Sequence, residues 1–298
     1  MASEPDPPRT SVVLTFYNRS KFLAEAIESV LQQTDGDWEL ILVDDGSTDS
    51  SSEIARSYEE AKARVSYISH PDRMNHGISA SRNLGARRAR GAFLAFIDSD
   101  DVWLNTKLEQ QLALFAEHLG IGAVLGALEY WFSWDECASQ VDHVVLTGNV
   151  ADKLIEPPAA LLTFYPLGTA PGGGVDIMIR SSIFNELGGF EESFPGMYDD
   201  QVLLCKLYLR YRIFVSSRPW VKYRQHPDSC TSNTPFGSRA YHDHRMIFLR
   251  WLAAYTRDQP EKHPAVVKKL RAALWAQRTR SLVGAAQRLL KRLARCLR

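Results

Sequence analysis

The first hundred residues alternate short apolar runs with helical stripes, and this alternation restricts the fold more than any other feature of the chain. Ser11 to Thr15, Trp38 to Val43, Arg64 to Ser69 and Phe93 to Ile97 read as β-strands, each short and rich in β-branched or large apolar residues. Between them Phe22, Leu23, Ala26, Ile27, Val30 and Leu31 fall at helical spacing, residues 50–62 read as a second helix, and Ile78 to Ala89 as a third. Strand–helix alternation of this kind builds parallel strands joined by right-handed crossovers. The expectation is an α/β fold with a Rossmann-like, mostly parallel central sheet and flanking helices.

Two of these strands run directly into acids. Trp38 to Val43 ends in Asp44-Asp45, and Phe93 to Ile97 ends in Asp98-Ser99-Asp100-Asp101. In a parallel sheet both groups sit on the carboxyl-terminal rim, where open α/β sheets bind ligands. Carboxylates this close repel one another unless they are exposed or a cation sits among them. The plainer alternative is a solvated turn at a helix start, because Asp is a good N-cap. A calcium-loop reading of 98–109 fails, since Trp103 stands where that loop needs Gly.

Further along, Leu104 to Leu119 reads as a helix and Gly122 to Tyr130 as a strand. Residues 131–171 carry no readable period; they hold Trp131, Trp134 and a Pro-Pro pair and suit acceptor-facing loops. Gly172-Gly173-Gly174 leads into a short strand over Val175 to Ile179. A helix over Ser181 to Leu187 is closed by Gly188-Gly189. Asp199-Asp200 opens a helix over Val202 to Tyr211, and Ile213 to Val215 and Val221 to Arg224 read as two strands. Past residue 236 the pattern is helical. The expected organisation is a flexible 1–9, a main domain over 10–235, and a basic, amphipathic helical region over 236–298.

Net charge is zero, yet Glu261 to Arg298 holds eleven Lys/Arg against one acid. There Leu282, Ala286, Leu289, Leu290, Leu293 and Leu297 form an apolar stripe, with Arg288, Lys291, Arg292, Arg295 and Arg298 largely off it. One reading packs this helix on the body with a solvated basic face. The other lays it against anionic lipid, a peripheral membrane contact through 262–298. Nucleic-acid binding is not expected, because Trp275 alone interrupts the basic tract with an aromatic ring. Cys137, Cys205, Cys230 and Cys296 form no C-x-x-C pair, which argues against structural zinc and disulfides and for a reducing, cytoplasmic setting. Met1 to Thr10 lacks an apolar h-region, so no signal peptide is expected, and no run of apolar residues is long enough to span a membrane.

Read in order, the motifs resemble family 2 glycosyltransferases. They are Val-Leu-Thr-Phe-Tyr-Asn at 13–18, Leu-Val-Asp-Asp-Gly-Ser-Thr-Asp at 42–49, Asn-His-Gly-Ile-Ser-Ala-Ser-Arg-Asn-Leu-Gly at 75–85 and Phe-Ile-Asp-Ser-Asp-Asp-Val-Trp at 96–103. Ile-Phe-Asn-Glu-Leu-Gly-Gly-Phe-Glu-Glu-Ser at 183–193 and Tyr-Arg-Gln-His-Pro-Asp-Ser at 223–229 continue the series. The resemblance spans residues 10–232 and implies a GT-A fold, a nucleotide-diphosphate sugar donor (UDP- or dTDP-sugar favoured), Mn²⁺ or Mg²⁺, and inversion at the anomeric carbon.

By the same resemblance, Asp45 reads the donor base through an N–H of uracil or thymine, with Asp44 beside it. Thr15, Tyr17, Asn18, Gly77, Arg82, Asp98 and Ser99 match the remaining nucleotide-binding positions. Asp100 is matched to the metal ligand of the D-x-D element, with His226 near it. Asp200 matches the general base that takes a proton from the acceptor hydroxyl; the family usually has Glu-Asp where this chain has Asp199-Asp200, which leaves the choice between the two acids open. On the residues alone, Asp45 also suits a turn, Asp199-Asp200 a helix N-cap, His226 a structural histidine, and Arg82 either the donor or the acids. Arg250-Trp251 lacks the upstream Gln of processive relatives, so transfer of a single sugar to a glycan or glycolipid acceptor is implied, at the inner face of the plasma membrane. A GT-A-like sugar-nucleotide-binding module without turnover is the alternative. The first strand leads into Phe16-Tyr17-Asn18 and not G-x-G-x-x-G, which excludes a dinucleotide oxidoreductase.

Overall fold

The computed structural model describes residues 6–145, 148–171, 177–194, 196–229, 232 and 234–296, with 281–296 as backbone. The amino-terminal half follows the alternation: β1 (Thr10–Phe16), α1 (Leu23–Leu31), β2 (Trp38–Asp44), α2 (Ser51–Ala61), β3 (Val65–Ser69), α3 (Ile78–Arg88) and β4 (Phe93–Asp98). Then come β5 (Val102–Trp103), α4 (Lys107–Glu117), β6 (Ala123–Trp131), β7 (His143–Val145), β8 (Lys153–Ile155), α5 (Ala159–Thr163), β9 (Ile177–Arg180), α6 (Ser181–Glu186), α7 (Asp199–Arg210) and β10 (Ile213–Arg224). Two long helices, α8 (Arg239–Asp258) and α9 (Pro264–Cys296), close the chain.

Among the described residues the strands form one sheet in the order β3-β2-β1-β4-β9-β6-β10-β5, with β7 paired to β6 and β8 to β10. β1 is parallel to β2 on one side and to β4 on the other, so Thr15 lies in register with both Val43 and Asp98. That register brings the carboxyl ends of three strands to one line. β9 is antiparallel to both β4 and β6, and β6 is parallel to β10.

Successive residues of the central strands bury on opposite faces, as period-2 strands covered on both sides must. Val12, Leu14, Leu40, Leu42, Ala95 and Ile97 pack with α1 and α4. Val13, Ile41, Val43, Leu94 and Phe96 pack with α6 and α7, and Phe248, Leu249 and Leu252 of α8 and Val266 and Leu270 of α9 join this same cluster. The carboxyl-terminal helices are therefore seated on the core of the body. α3 approaches the sheet closely enough that a Cβ on Gly85 would lie 2.5 Å from Val13 Cγ1.

Several expected bounds shift for local reasons. The strands expected at Ile213 to Val215 and Val221 to Arg224 are one strand, β10, whose register slips on either side of Pro219. Proline has no N–H for the ladder, so the strand bulges there and resumes. The helix expected from Leu104 starts at Lys107, because Val102 and Trp103 pair with β10 as β5. The helix expected from Val202 starts at Asp199, so both acids lie in its first turn. Within 131–171 lie β7, β8 and α5, which the sequence pattern did not disclose. Residues 172–176 lie outside the described residues, and so do the side chains of the Leu282–Leu297 stripe with its basic face. Among the described residues no helix is long and apolar enough to cross a membrane.

Candidate active site

The rim at the ends of β1, β2 and β4 carries the acids, and its two halves are built differently. At the β2 end the carboxylates hold backbone. Asp44 accepts from Ser47 N–H at 2.8 Å, from the Tyr67 hydroxyl at 2.9 Å and from the Ser52 hydroxyl. Its oxygens are engaged by the 44–52 turn and by β3. Asp45 accepts from His76 N–H at 2.8 Å and Gly77 N–H at 3.0 Å, tying the start of α3 to β2. Asn18 adopts a left-handed φ of 51°, which Asn tolerates. Its side-chain oxygen accepts from the backbone N–H groups of Thr48 and Asp49 at 2.7 and 3.3 Å. Asn18 thus clamps the loop that follows β2, while Tyr17 beside it is 43% exposed. His70 and His76 stack at 4.2 Å behind Asp45. Burial, with the His76 charge, holds His70 below the usual imidazole range.

At the β4 end charge is the organising element. Asp98 accepts from Arg82 at 2.6 Å, and the other guanidinium nitrogen of Arg82 bonds Asp199. Arg82 is 2% exposed and lies over the Phe190 ring at 5.2 Å. Arg82 thus pairs with two of the acids. Asp100 meets His226 Nε2 at 3.1 Å, with Arg19 Nε at 3.6 Å. Burial pushes Asp100 up, but the His226 hydrogen bond and the Arg19 charge outweigh it and hold the carboxyl below its ordinary value. Asp101 is buried and accepts from Arg224 N–H at 3.0 Å. Burial and the charges of Asp100 and Asp98 push it well above its ordinary value. Of the three crowded acids, Asp98 meets Arg82, Asp100 meets His226, and Asp101 is held by the Arg224 backbone. Ser99 is buried within this turn, and the buried Thr15 hydroxyl, in register with Asp98, has no hydrogen-bond partner.

Asp199 and Asp200 start α7. Burial pushes Asp199 up against the pull of Arg82. Burial and the Asp199 charge push Asp200 up to about 7, with Arg82 opposing. Asp200 accepts from Gln201 N–H at 2.7 Å, and among the described residues it forms no ion pair.

The structure thus gathers Arg82, Asp98 and Asp199 in one bridge, with Asp200 next in the chain, and Asp100 with His226 in a second cluster. It places Asp45 and Gly77 together in a third. Sequence reasoning missed Arg224, which braces the metal-side turn. Its Nε donates to the Asp100 carbonyl at 2.7 Å and its Nη2 to Glu25 at 2.5 Å. The guanidinium lies 4.3, 4.8 and 5.2 Å from the rings of Trp131, Phe22 and Trp134. The available signal was its position two residues before His226.

The carboxylate and imidazole of Asp100 and His226 suit a hard or borderline divalent cation. Among the described residues no cluster of three or more His, Cys, Asp or Glu side chains would hold a metal by itself.

Comparison with known proteins gives a consistent picture. Residues 11–135 match the model described as Glycosyl transferase family 2. The chain is 38% identical over 110 residues to the putative teichuronic acid biosynthesis glycosyltransferase TuaG of Bacillus subtilis, a match covering 37% of this chain and 43% of that protein. It is 41% identical over 199 residues to the uncharacterized glycosyltransferase RC0461 of Rickettsia conorii, covering 62% of this chain and 32% of that one. The chain thus spans less than half the length of these curated relatives. In structure it is similar to S. aureus TarS 1-349 in complex with UDP-GlcNAc, with a TM-score of 0.70 at 20% identity, covering 89% of this chain and 71% of that one.

Removing one partner from a buried ion pair costs about 3–5 kcal/mol. Arg82→Met is therefore expected to lower the urea-denaturation stability by about that amount. A change below about 1 kcal/mol would show that the bridge is not holding the site together.

Proposed function

We propose that the chain, which matches the glycosyl transferase family 2 model over residues 11–135 and has a GT-A fold, moves a single sugar from a nucleotide-diphosphate sugar to an acceptor hydroxyl, with inversion. The observation that carries this reading is Asp200. It lies in the first turn of α7, joined through Asp199 and Arg82 to Asp98 at the end of β4, and burial with the Asp199 charge poises it at about 7. A general base works best with a pKa near the operating pH. Asp200 takes the proton of the acceptor hydroxyl as that oxygen attacks the anomeric carbon, and the bond from that carbon to the diphosphate breaks. Asp199, already engaged by Arg82, positions its neighbour.

Asp45 serves the donor base. Its oxygens hold the His76 and Gly77 N–H groups, and each keeps a second lone pair for the ring N–H of a pyrimidine. A UDP- or dTDP-sugar is favoured on that ground; the complex of TarS with UDP-GlcNAc is in keeping with it. Tyr17, exposed beside this pocket, offers a stacking face. Asp100 and His226 hold a divalent cation, Mn²⁺ or Mg²⁺, with diphosphate oxygens completing the shell. When bound, the cation supplies Lewis-acid neutralisation of the departing diphosphate. The acceptor is a glycan or glycolipid, and the basic residues Lys262, Lys268 and Arg271, which line a pocket of about 420 Å³ at the start of α9, face an anionic membrane surface.

Five measurements test this reading. Asp200→Asn is expected to abolish transfer in the presence of excess donor. Wild-type kcat should rise with pH through about 7 as Asp200 ionises. The folded pKa of Asp200 lies above its unfolded value, so the stability it contributes is present at low pH and is lost as pH rises through about 7. Asp200→Asn should therefore gain Tm over wild type at pH 8 and show no such gain at pH 4. A flat pH–rate profile would remove Asp200 from the role of base, and donor binding with no turnover by the wild type would favour a binding module. In thermal-shift titrations UDP should raise Tm only with Mn²⁺ present, and His226→Ala should remove the metal-dependent part; a shift equal with and without metal removes Asp100 and His226 from that role. Co-sedimentation with phosphatidylglycerol vesicles but not phosphatidylcholine vesicles checks the membrane contact, and equal pelleting with both rejects it.

A further inference from the structure

A relay of tyrosine hydroxyls runs from α8 to the residue that precedes the catalytic acids. Tyr198 sits directly before Asp199 with φ at 72°, a left-handed conformation unfavourable for a bulky side chain. Something must hold it there. Its hydroxyl meets that of Tyr165 at 2.5 Å, and Tyr165 in turn meets Tyr241 at 2.8 Å. The Tyr198 ring stacks on Phe248 at 4.8 Å. Arg245 lies over the Tyr165 ring at 5.3 Å and donates to the Pro166 carbonyl at 3.0 Å.

Tyr241, Arg245 and Phe248 follow i, i+4, i+7 spacing, so one face of α8 supplies all three contacts. Tyr198 and Tyr241 are 4% and 6% exposed. Burial pushes Tyr198 up to about 12 and raises Tyr165 as well, so these two phenols are neutral across the physiological range. Neutral hydroxyls shielded from water make hydrogen bonds that are costly to leave unmade. None of these residues belongs to the donor half of the site, which is built on the ends of β1, β2 and β4.

We propose that the Tyr198–Tyr165–Tyr241 hydroxyl relay, anchored on α8, is the positioning device for the catalytic base, fixing the strained turn at Tyr198 and so the direction in which Asp199 and Asp200 leave it. The three tyrosines are positioning residues. The kinetic part of this inference rests on Asp200 as the base; the mechanical part does not. On this view the carboxyl-terminal helices set the geometry of proton abstraction while leaving donor binding to the amino-terminal half.

Tyr241→Phe deletes one hydroxyl of the relay and keeps the ring. Amide hydrogen exchange across residues 196–204 reads the turn whether or not sugar is transferred. It is expected to be about tenfold faster in Tyr241→Phe, with β1 and β4 unchanged; equal exchange in this segment overturns the proposal. Tyr165→Phe, which breaks the relay at its centre, should do at least as much. In transfer assays Tyr241→Phe should lower kcat about five- to tenfold with the donor KM unchanged. An unchanged kcat, or a loss in donor KM alone, overturns the kinetic role. If exchange responds while the wild type transfers no sugar, the assignment of Asp200 has failed and the relay has not.

Discussion

The bridge made by Arg82 is the interaction on which the site depends. One buried guanidinium holds Asp98 at the end of β4 and Asp199 at the start of α7, elements more than a hundred residues apart in the chain. A buried cation without partners, or buried carboxylates without a cation, would each carry a heavy desolvation cost. Together they are tolerable, and their mutual requirement fixes where α7 begins relative to the sheet. The cation–π face of Phe190, reached through the Gly188-Gly189 turn, completes the seat.

Around this bridge, acids crowded on one rim are separated by protonation state as well as by position. Asp100 has His226 and Arg19 and stays ionised. Asp101 is walled in and pushed well above its ordinary value. Asp200, with no ion-pair partner of its own among the described residues, is pushed up to about 7. Residues of one type thus differ in charge behaviour, and environment alone distinguishes them. At the other half of the rim Asp44 and Asp45 are spent on local backbone and hydroxyl groups, which turns two loops into a preformed wall.

The carboxyl-terminal helices belong to this arrangement. Phe248 and Leu249 of α8 share a core cluster with Val202 and Leu203 of α7, so the helix carrying the acids is packed between the sheet and the end of the chain. Packed elements are stiff and transmit position. A helical region that looks like an appendage in sequence thereby becomes part of the frame against which α7 is packed.

The sequence by itself determined the order of strands and helices through Asp98 and the rim on which the acids lie, because hydrophobic period and chain direction are local properties. Through its resemblance to a family it also singled out Asp45, Asp100, His226 and the Asp199-Asp200 pair, without deciding between the last two acids. It could not show which groups each acid holds, since adjacent acids on one turn differ only in which way the fold aims them. It hid the joining of β10 across Pro219, the brace formed by Arg224, and the three tyrosines. Those features pair residues tens to over a hundred positions apart, and no local period records such a pairing. Only the tertiary structure decided which acid keeps its charge, because a carboxyl's ionisation is set by burial and by the partners the fold brings to it.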